Sequence, residues 1–154
     1  MAKLKPGVAA PEFELPDQTG AAVTLAGFRG KPLLIYFYPR ADTPGCTRQA
    51  CSVRDARPHL KKLKIAAVGI SPDRPAAQKK FDAKYDLGFP LLADPEKKVA
   101  KAYGAFGKKT LYGKVSEGII RSSFLIGADG TVIETWYQVS PEETVPLVLA
   151  ALKK

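Results

Sequence analysis

Seven consecutive residues without a charged side chain, Pro32-Leu-Leu-Ile-Tyr-Phe-Tyr38, stop at Pro39, and Thr43-Pro44 then supplies a helix start. The run shows no alternation of polar and apolar residues, the pattern of a strand buried on both faces. Thr43 suits an N-cap and Pro44 the first helical position, where a missing N–H costs nothing. The segment therefore predicts a buried strand feeding a helix that runs from about Gly45 toward Ala56, with Pro58 marking a kink or a fresh start. Both faces of such a strand are covered by other elements, as in sheets of the α/β class.

The flanking sequence fills in that class. Phe13 to Leu15 and Ala22 to Leu25, separated by Asp17-Gln-Thr-Gly20, form an N-terminal β-hairpin. Lys64 to Ile70 is a second buried strand, and Pro90 to Ala93 a short third one between helices over Pro75 to Asp86 and Glu96 to Tyr103. Ile119 to Ile126 and Thr131 to Val139, joined by Gly-Ala-Asp-Gly, make a hairpin, and Pro141 to Lys153 a closing amphipathic helix. A βαβ unit followed by an antiparallel hairpin and a terminal helix gives a central mixed β-sheet flanked by helices, a thioredoxin-like fold. The helix start after the first buried strand then lies at a strand's carboxyl end, where open α/β sheets place their sites.

No repeat or long polar linker divides the 154 residues, so residues 1–154 are expected to form a single domain, large enough to bury its own core. No stretch is long and apolar enough for a membrane-spanning helix and no secretory leader stands at the amino terminus, so a cytoplasmic protein with no membrane partner is expected. The net charge of +9 favours acidic surfaces in general. Its lysines (Lys61, Lys62 and Lys64; Lys79, Lys80 and Lys84; Lys97, Lys98 and Lys101; Lys108 and Lys109) lie in separate amphipathic segments without interleaved aromatics. They read as solvated helix faces rather than as a specific nucleic-acid site.

Two cysteines, Cys46 and Cys51, are too few for a disulfide framework and, in a reducing compartment, point to chemistry. Cys46 falls in the first turn of its helix, where free backbone N–H groups and the positive end of the dipole favour a thiolate. A helix end supplies about 0.3–1 kcal/mol, and at most about 2. Moving a thiol's ionisation by two pH units takes about 2.7 kcal/mol, so a cation is needed as well. Arg121 interrupts the apolar run Ile-Ile-Arg-Ser-Ser-Phe-Leu-Ile and needs an anionic partner if buried there. Two readings stand: Arg121 faces the thiolate, or it faces water at an edge strand or pairs with an unrelated carboxylate.

Cys51 follows five residues after Cys46. On an intact helix the two α-carbons lie about 8.6 Å and about 140° apart, beyond the roughly 7 Å a disulfide bridges. A permanent bridge is disfavoured, while a transient one coupled to local unwinding is reasonable. Cys51 as a small buried hydrophobe is the other reading. His59 is the only histidine, so neither a zinc site with about four ligands nor a histidine-based cysteine hydrolase is expected. The electrophile suited to an anion-stabilised thiolate is a peroxide: the sulfur takes one oxygen, hydroxide or alkoxide leaves, and a sulfenic acid remains. Thr43 is placed to hold that peroxide by its hydroxyl. A thiol-disulfide oxidoreductase on the same fold would carry its cysteines two residues apart, and a non-catalytic basic scaffold would leave Thr-Pro-Gly-Cys unexplained.

The segment Tyr38-Pro39-x-x-x-Thr43-Pro44-Gly45-Cys46-Thr47-x-Gln49-Ala50-Cys51 resembles the active-site segment of the bacterioferritin comigratory protein, or peroxiredoxin Q, family. The resemblance extends to Ala10-Pro11-x-Phe13-x-Leu15-Pro16-Asp17, Gly69-Ile70-Ser71, Tyr112-Gly113-Lys114 and Gly118-Ile119-x-Arg121-x-Ser123-Phe124-Leu125-Ile126. It implies a thioredoxin-like fold and reduction of hydrogen peroxide and organic hydroperoxides without a cofactor. It also implies a peroxidatic cysteine at Cys46 supported by Pro39, Thr43 and Arg121. By the same resemblance Cys51 resolves the sulfenic acid as an intramolecular disulfide, thioredoxin or glutaredoxin is the reductant, and the chain is a monomer. Gln49 departs from the family pattern, since numerous relatives carry Glu there.

Overall fold

The computed structural model describes residues 3–111 and 113–152; Met1, Ala2, Tyr112, Lys153 and Lys154 lie outside the described residues, and with them Tyr112 of the family-like segments and the last residue of the expected closing helix. The elements run β1 (Glu14–Pro16), β2 (Ala22–Thr24), a 3-10 turn (Ala26–Phe28), β3 (Leu33–Phe37), α1 (Pro44–Lys62), β4 (Ala66–Ser71), α2 (Pro75–Tyr85) and β5 (Leu91–Ala93). They continue with α3 (Lys98–Ala102), β6 (Phe106–Leu111), β7 (Lys114–Ile119), β8 (Ser122–Ile126), β9 (Val132–Trp136) and α4 (Thr144–Leu152). The main sheet has the order β5-β4-β3-β8-β9. Its β3, β4 and β5 run parallel, while β8 and β9 pair antiparallel. This is the mixed, helix-flanked sheet of the thioredoxin-like class, with β1 and β2 as the N-terminal hairpin.

All five residues of β3 are buried, and its alternate side chains enter two separate cores. Leu33, Ile35 and Phe37 pack with Val68, Ile70, Tyr103, Phe124 and Ile126 on one face. Leu34 and Tyr36 pack with Cys46, Ala50, Val53, Leu125 and Val148 on the other, under α1 and α4. Register sets Tyr36 beside Gly69 of β4 and Ser123 of β8. A β-carbon on Gly69 would stand 2.8 Å from Tyr36 Cζ and 3.0 Å from Tyr38 Cε1, closer than side chains approach one another. The two tyrosine rings, 5.5 Å apart, occupy the space that Gly69 leaves open.

Three expectations are corrected. Helix α1 does not break at Pro58; it runs unbroken to Lys62. Val53 and Leu60, seven residues apart and so on one face, are both buried, and Pro58 is exposed, where the carbonyl it frees can turn to water. Pro141 precedes the closing helix, whose first turn holds Pro146 instead. Ile119 and Arg121 are not in one strand: Ile119 ends β7, which pairs with β6, and the chain crosses through Ile120 and Arg121 into β8. Among the described residues no helix is long and apolar enough to cross a membrane.

The Tyr36 hydroxyl is buried without a hydrogen-bond partner among the described residues. Burial pushes its pKa well above the usual tyrosine range, with Tyr38 and the Cys46 sulfur adding to the effect, so it stays a neutral O–H. An orphaned buried hydroxyl costs about 1–3 kcal/mol. Tyr36→Phe is therefore expected to raise the melting temperature by about 2–4 °C for each kcal/mol recovered in a chain of this size, read by calorimetry of the reduced protein; a lower melting temperature would mean that the hydroxyl has a partner.

Candidate active site

The loop after β3 delivers the chain to the amino end of α1. Thr43 has extended N-cap geometry (φ −93°, ψ 157°), yet its side chain does not cap the helix. Its hydroxyl donates instead to the Arg40 carbonyl at 2.9 Å, which leaves the oxygen's lone pairs free to accept. The first bond leading into the helix is Thr47 N–H to the Thr43 carbonyl at 2.8 Å, so the N–H groups of Gly45 and Cys46 lie ahead of it. Pro39, half-buried, turns the chain out of the strand.

The loop itself is tied down from the other side of the sheet's carboxyl edge. Ala41 N–H donates to Asp73 Oδ2 at 2.7 Å, and Ser71 Oγ donates to the same oxygen at 2.7 Å. Gln78 Nε2 donates to Ser71 Oγ at 2.8 Å, and the buried Tyr38 hydroxyl donates to Gln78 Oε1 at 2.6 Å. Asp42, at a left-handed φ of 61°, accepts from Lys84 Nζ at 2.9 Å and from the Tyr85 hydroxyl at 2.8 Å. Those hydrogen bonds hold its carboxyl below the usual carboxylate range. The loop is thereby fixed to β4 and α2 before any substrate arrives.

Cys46 is 1% exposed, and Arg121 Nη2 donates to its sulfur at 3.3 Å. The same guanidinium donates through Nη1 to Gln49 Oε1 at 2.5 Å. A guanidinium only donates, so the Gln49 oxygen must face Arg121 and its nitrogen must point away. That nitrogen donates to Thr144 Oγ1 at 2.9 Å, and Thr144 shares a further 2.9 Å hydrogen bond with Ser123 Oγ. Gln49, Ser123 and Thr144 are all fully buried. The Arg121 backbone is held by Val139 N–H, which donates to its carbonyl at 3.0 Å. Gly45 completes the packing, because a β-carbon there would lie 3.2 Å from Arg121 Nη2 and 3.3 Å from Pro141 Cγ.

Of the two readings of Arg121, the structure selects the one that faces Cys46. Its acceptors are the sulfur and a neutral amide; among the described residues it forms no salt bridge with a carboxylate. Glu142 is a carboxylate that feels the Arg121 charge, which helps to lower its pKa after the hydrogen bond from Arg48. Both cysteines are free, with Cys51 half-buried on the same unbroken helix. His59 is exposed and thirteen residues farther along α1, about 20 Å from Cys46. Among the described residues no cluster of three or more His, Cys, Asp or Glu side chains could hold a metal ion. Sequence reasoning missed the holding roles of Gln49, Thr144, Ser123 and Asp73; Gln49 and Ser123 stood only as positions in the family-like segments, and Thr144 and Asp73 carried no signal.

The profile of the AhpC/TSA family matches residues 6–135. Peroxiredoxin Bcp of Escherichia coli (strain K12) is 44% identical over 154 residues, covering 100% of this chain and 99% of that protein. A putative peroxiredoxin of Mycobacterium tuberculosis is 46% identical over 137 residues, covering 89% and 87%. Among solved structures, the bacterioferritin comigratory protein of Xanthomonas campestris, described for its alkyl peroxide reduction activity, superposes with a TM-score of 0.85 at 34% identity over 92% of this chain and 90% of that one. Peroxiredoxin Q of Xylella fastidiosa superposes with a TM-score of 0.91 at 28% identity over 99% and 98%.

Proposed function

Because the chain belongs to the AhpC/TSA family, in its bacterioferritin comigratory protein or peroxiredoxin Q branch of thiol peroxidases, we propose that Cys46 is the sulfur that reduces the peroxide and Cys51 the one that recycles it. The observation that carries this reading is the buried Cys46 sulfur with Arg121 Nη2 directed at it from 3.3 Å. A guanidinium in that position stabilises the thiolate and then the negative charge that builds on the departing oxygen. With almost no exposed surface, the sulfur admits a small electrophile and excludes bulky disulfides.

The thiolate attacks the terminal oxygen of ROOH, the O–O bond breaks, and RO⁻ leaves and takes up a proton as ROH. Thr43 Oγ1, already donating to Arg40, accepts from the peroxide O–H and orients it, and the N–H groups of Gly45 and Cys46 steady the oxygens. Pro39 shields the loop. The product is a sulfenic acid on Cys46. Cys51 then attacks that sulfur, water leaves, and an intramolecular disulfide forms after α1 unwinds, since the helical spacing of the α-carbons exceeds disulfide reach.

Hydrogen peroxide and organic hydroperoxides are the substrates, the second in keeping with the alkyl peroxide activity named for the Xanthomonas campestris relative. Thioredoxin, or glutaredoxin, regenerates the dithiol. The same reading has the chain acting as a single domain and a monomer in the cytoplasm, without a cofactor. The test is the intact mass of the reduced protein after one equivalent of hydrogen peroxide. Loss of two hydrogens is expected; a product carrying one added oxygen that never converts would sink the role given to Cys51.

A further inference from the structure

Disulfide formation on this helix requires residues 47–50 to leave their helical positions, so the side chains of that stretch decide how readily it opens. Ala50 offers only a methyl group to the core. Arg48 is tied to Glu142 at 2.6 Å, but both side chains are more than half exposed, and such a pair adds little and weakens with salt. Gln49 is different. It is fully buried, it lies between the two cysteines, and both ends of its amide are engaged, by Arg121 on one side and Thr144 on the other. Thr144 opens α4 and is itself braced by Ser123 of β8, so the amide is anchored to two elements that need not move when α1 does.

We propose that the Gln49–Thr144–Ser123 chain is the latch that sets how fast α1 opens, and so how the Cys46 sulfenic acid divides between two fates. One is attack by Cys51 with loss of water. The other is attack by a second peroxide molecule, which leaves a sulfinic acid and one molecule of alcohol or water. The proposal rests on Cys51 being the resolving cysteine. In the closed helix every hydrogen-bonding atom of the latch has a partner; in the open helix Gln49 is solvated. Removing the Thr144 hydroxyl orphans the buried Gln49 N–H groups in the closed form only, so the balance moves toward opening. Arg121 keeps Gln49 Oε1 as its acceptor, so the first oxidation is spared.

Thr144→Val, Thr144→Ser and the unaltered protein are compared by rapid mixing with hydrogen peroxide, acid quench and intact mass against time. The oxygen-added species is expected to appear at the same rate in all three, within about twofold. Its conversion to the disulfide is expected to run about five- to tenfold faster in Thr144→Val, the factor that about 1–1.4 kcal/mol supplies. Sulfinic acid at excess peroxide falls by a similar factor, and Thr144→Ser, which keeps the hydroxyl, behaves as the parent. Conversion in Thr144→Val at the parent rate or slower overturns the latch, and so does equal acceleration in Thr144→Ser, which would trace the effect to packing. Should Thr144→Val fail to fold, Ser123→Ala takes its place, with a smaller acceleration expected and none overturning the proposal. If the unaltered protein forms no disulfide at all, the resolving role of Cys51 fails first, and the latch with it; that outcome is recognisable before any variant is compared.

Discussion

Cys46→Ser leaves no measurable thiol-dependent peroxide consumption, a fall of at least about four orders of magnitude in the second-order rate constant, because a serine hydroxyl in the same pocket is neither ionised nor nucleophilic enough to break an O–O bond. The sulfur lies in the same buried cluster as Ala50 and Val53 and touches Arg121, so the near-isosteric change disturbs little else. Cys51→Ser provides the contrast. Cys51 is half-buried farther along α1, so its loss is expected to keep the first oxidation within about twofold of the parent. The sulfenic acid then has no internal partner, and recycling stalls unless an external thiol attacks it. Stopped-flow consumption of hydrogen peroxide reads the first step and intact mass reads the second. Equal, mild losses in the two variants would overturn the division of labour.

Arg121→Met is expected to slow the first oxidation by about a hundred- to a thousandfold, the range found when one preorganised donor is taken from a charge-developing site. Two effects act in the same direction. The Cys46 sulfur loses the N–H that faces it at 3.3 Å, and Gln49 Oε1 is left buried without its donor. The second effect costs about 1–3 kcal/mol of stability, so a lower melting temperature should accompany the kinetic loss. Arg121→Lys keeps the charge but cannot reach sulfur and amide with one planar fork, and falls between the two. The check is the dependence of the oxidation rate on peroxide concentration; a rate for Arg121→Met within about threefold of the parent would remove the guanidinium from the reaction.

The parts of this molecule that could be read from the sequence are those whose chemistry is local. Thr43 and Pro44 announce a helix start, and the apolar run before them announces a buried strand, because neither signal needs a distant partner. Arg121 stands out because a charge interrupts an apolar stretch, but its acceptors, the Gln49 amide and the Cys46 sulfur, lie 72 and 75 positions away and need the fold to reach it. Thr144 and Asp73 carried no signal: a threonine after two glutamates and an aspartate in a turn look like ordinary surface residues. Their partners are Gln49, 95 positions away, and Ala41, 32 positions away. The β6–β7 hairpin escaped for another reason. Lys114 to Glu117 are exposed one after another, so the strand has no apolar face and no alternation to read. At Pro58 a sound local rule was overruled by the burial of Val53 and Leu60 on one helix face.

Gly69 carries a consequence for how this sequence can drift. It never meets a substrate, yet the first carbon of any side chain there would press to 2.8 Å from Tyr36, whose ring lies in the same core as Cys46 and Ala50. A single-nucleotide change to alanine in β4 would therefore be felt as a displaced floor beneath the nucleophile. In a mutational screen scored only on peroxide tolerance, this strand glycine should be as intolerant of replacement as residues that touch the chemistry, and for a steric reason that distance from the substrate conceals.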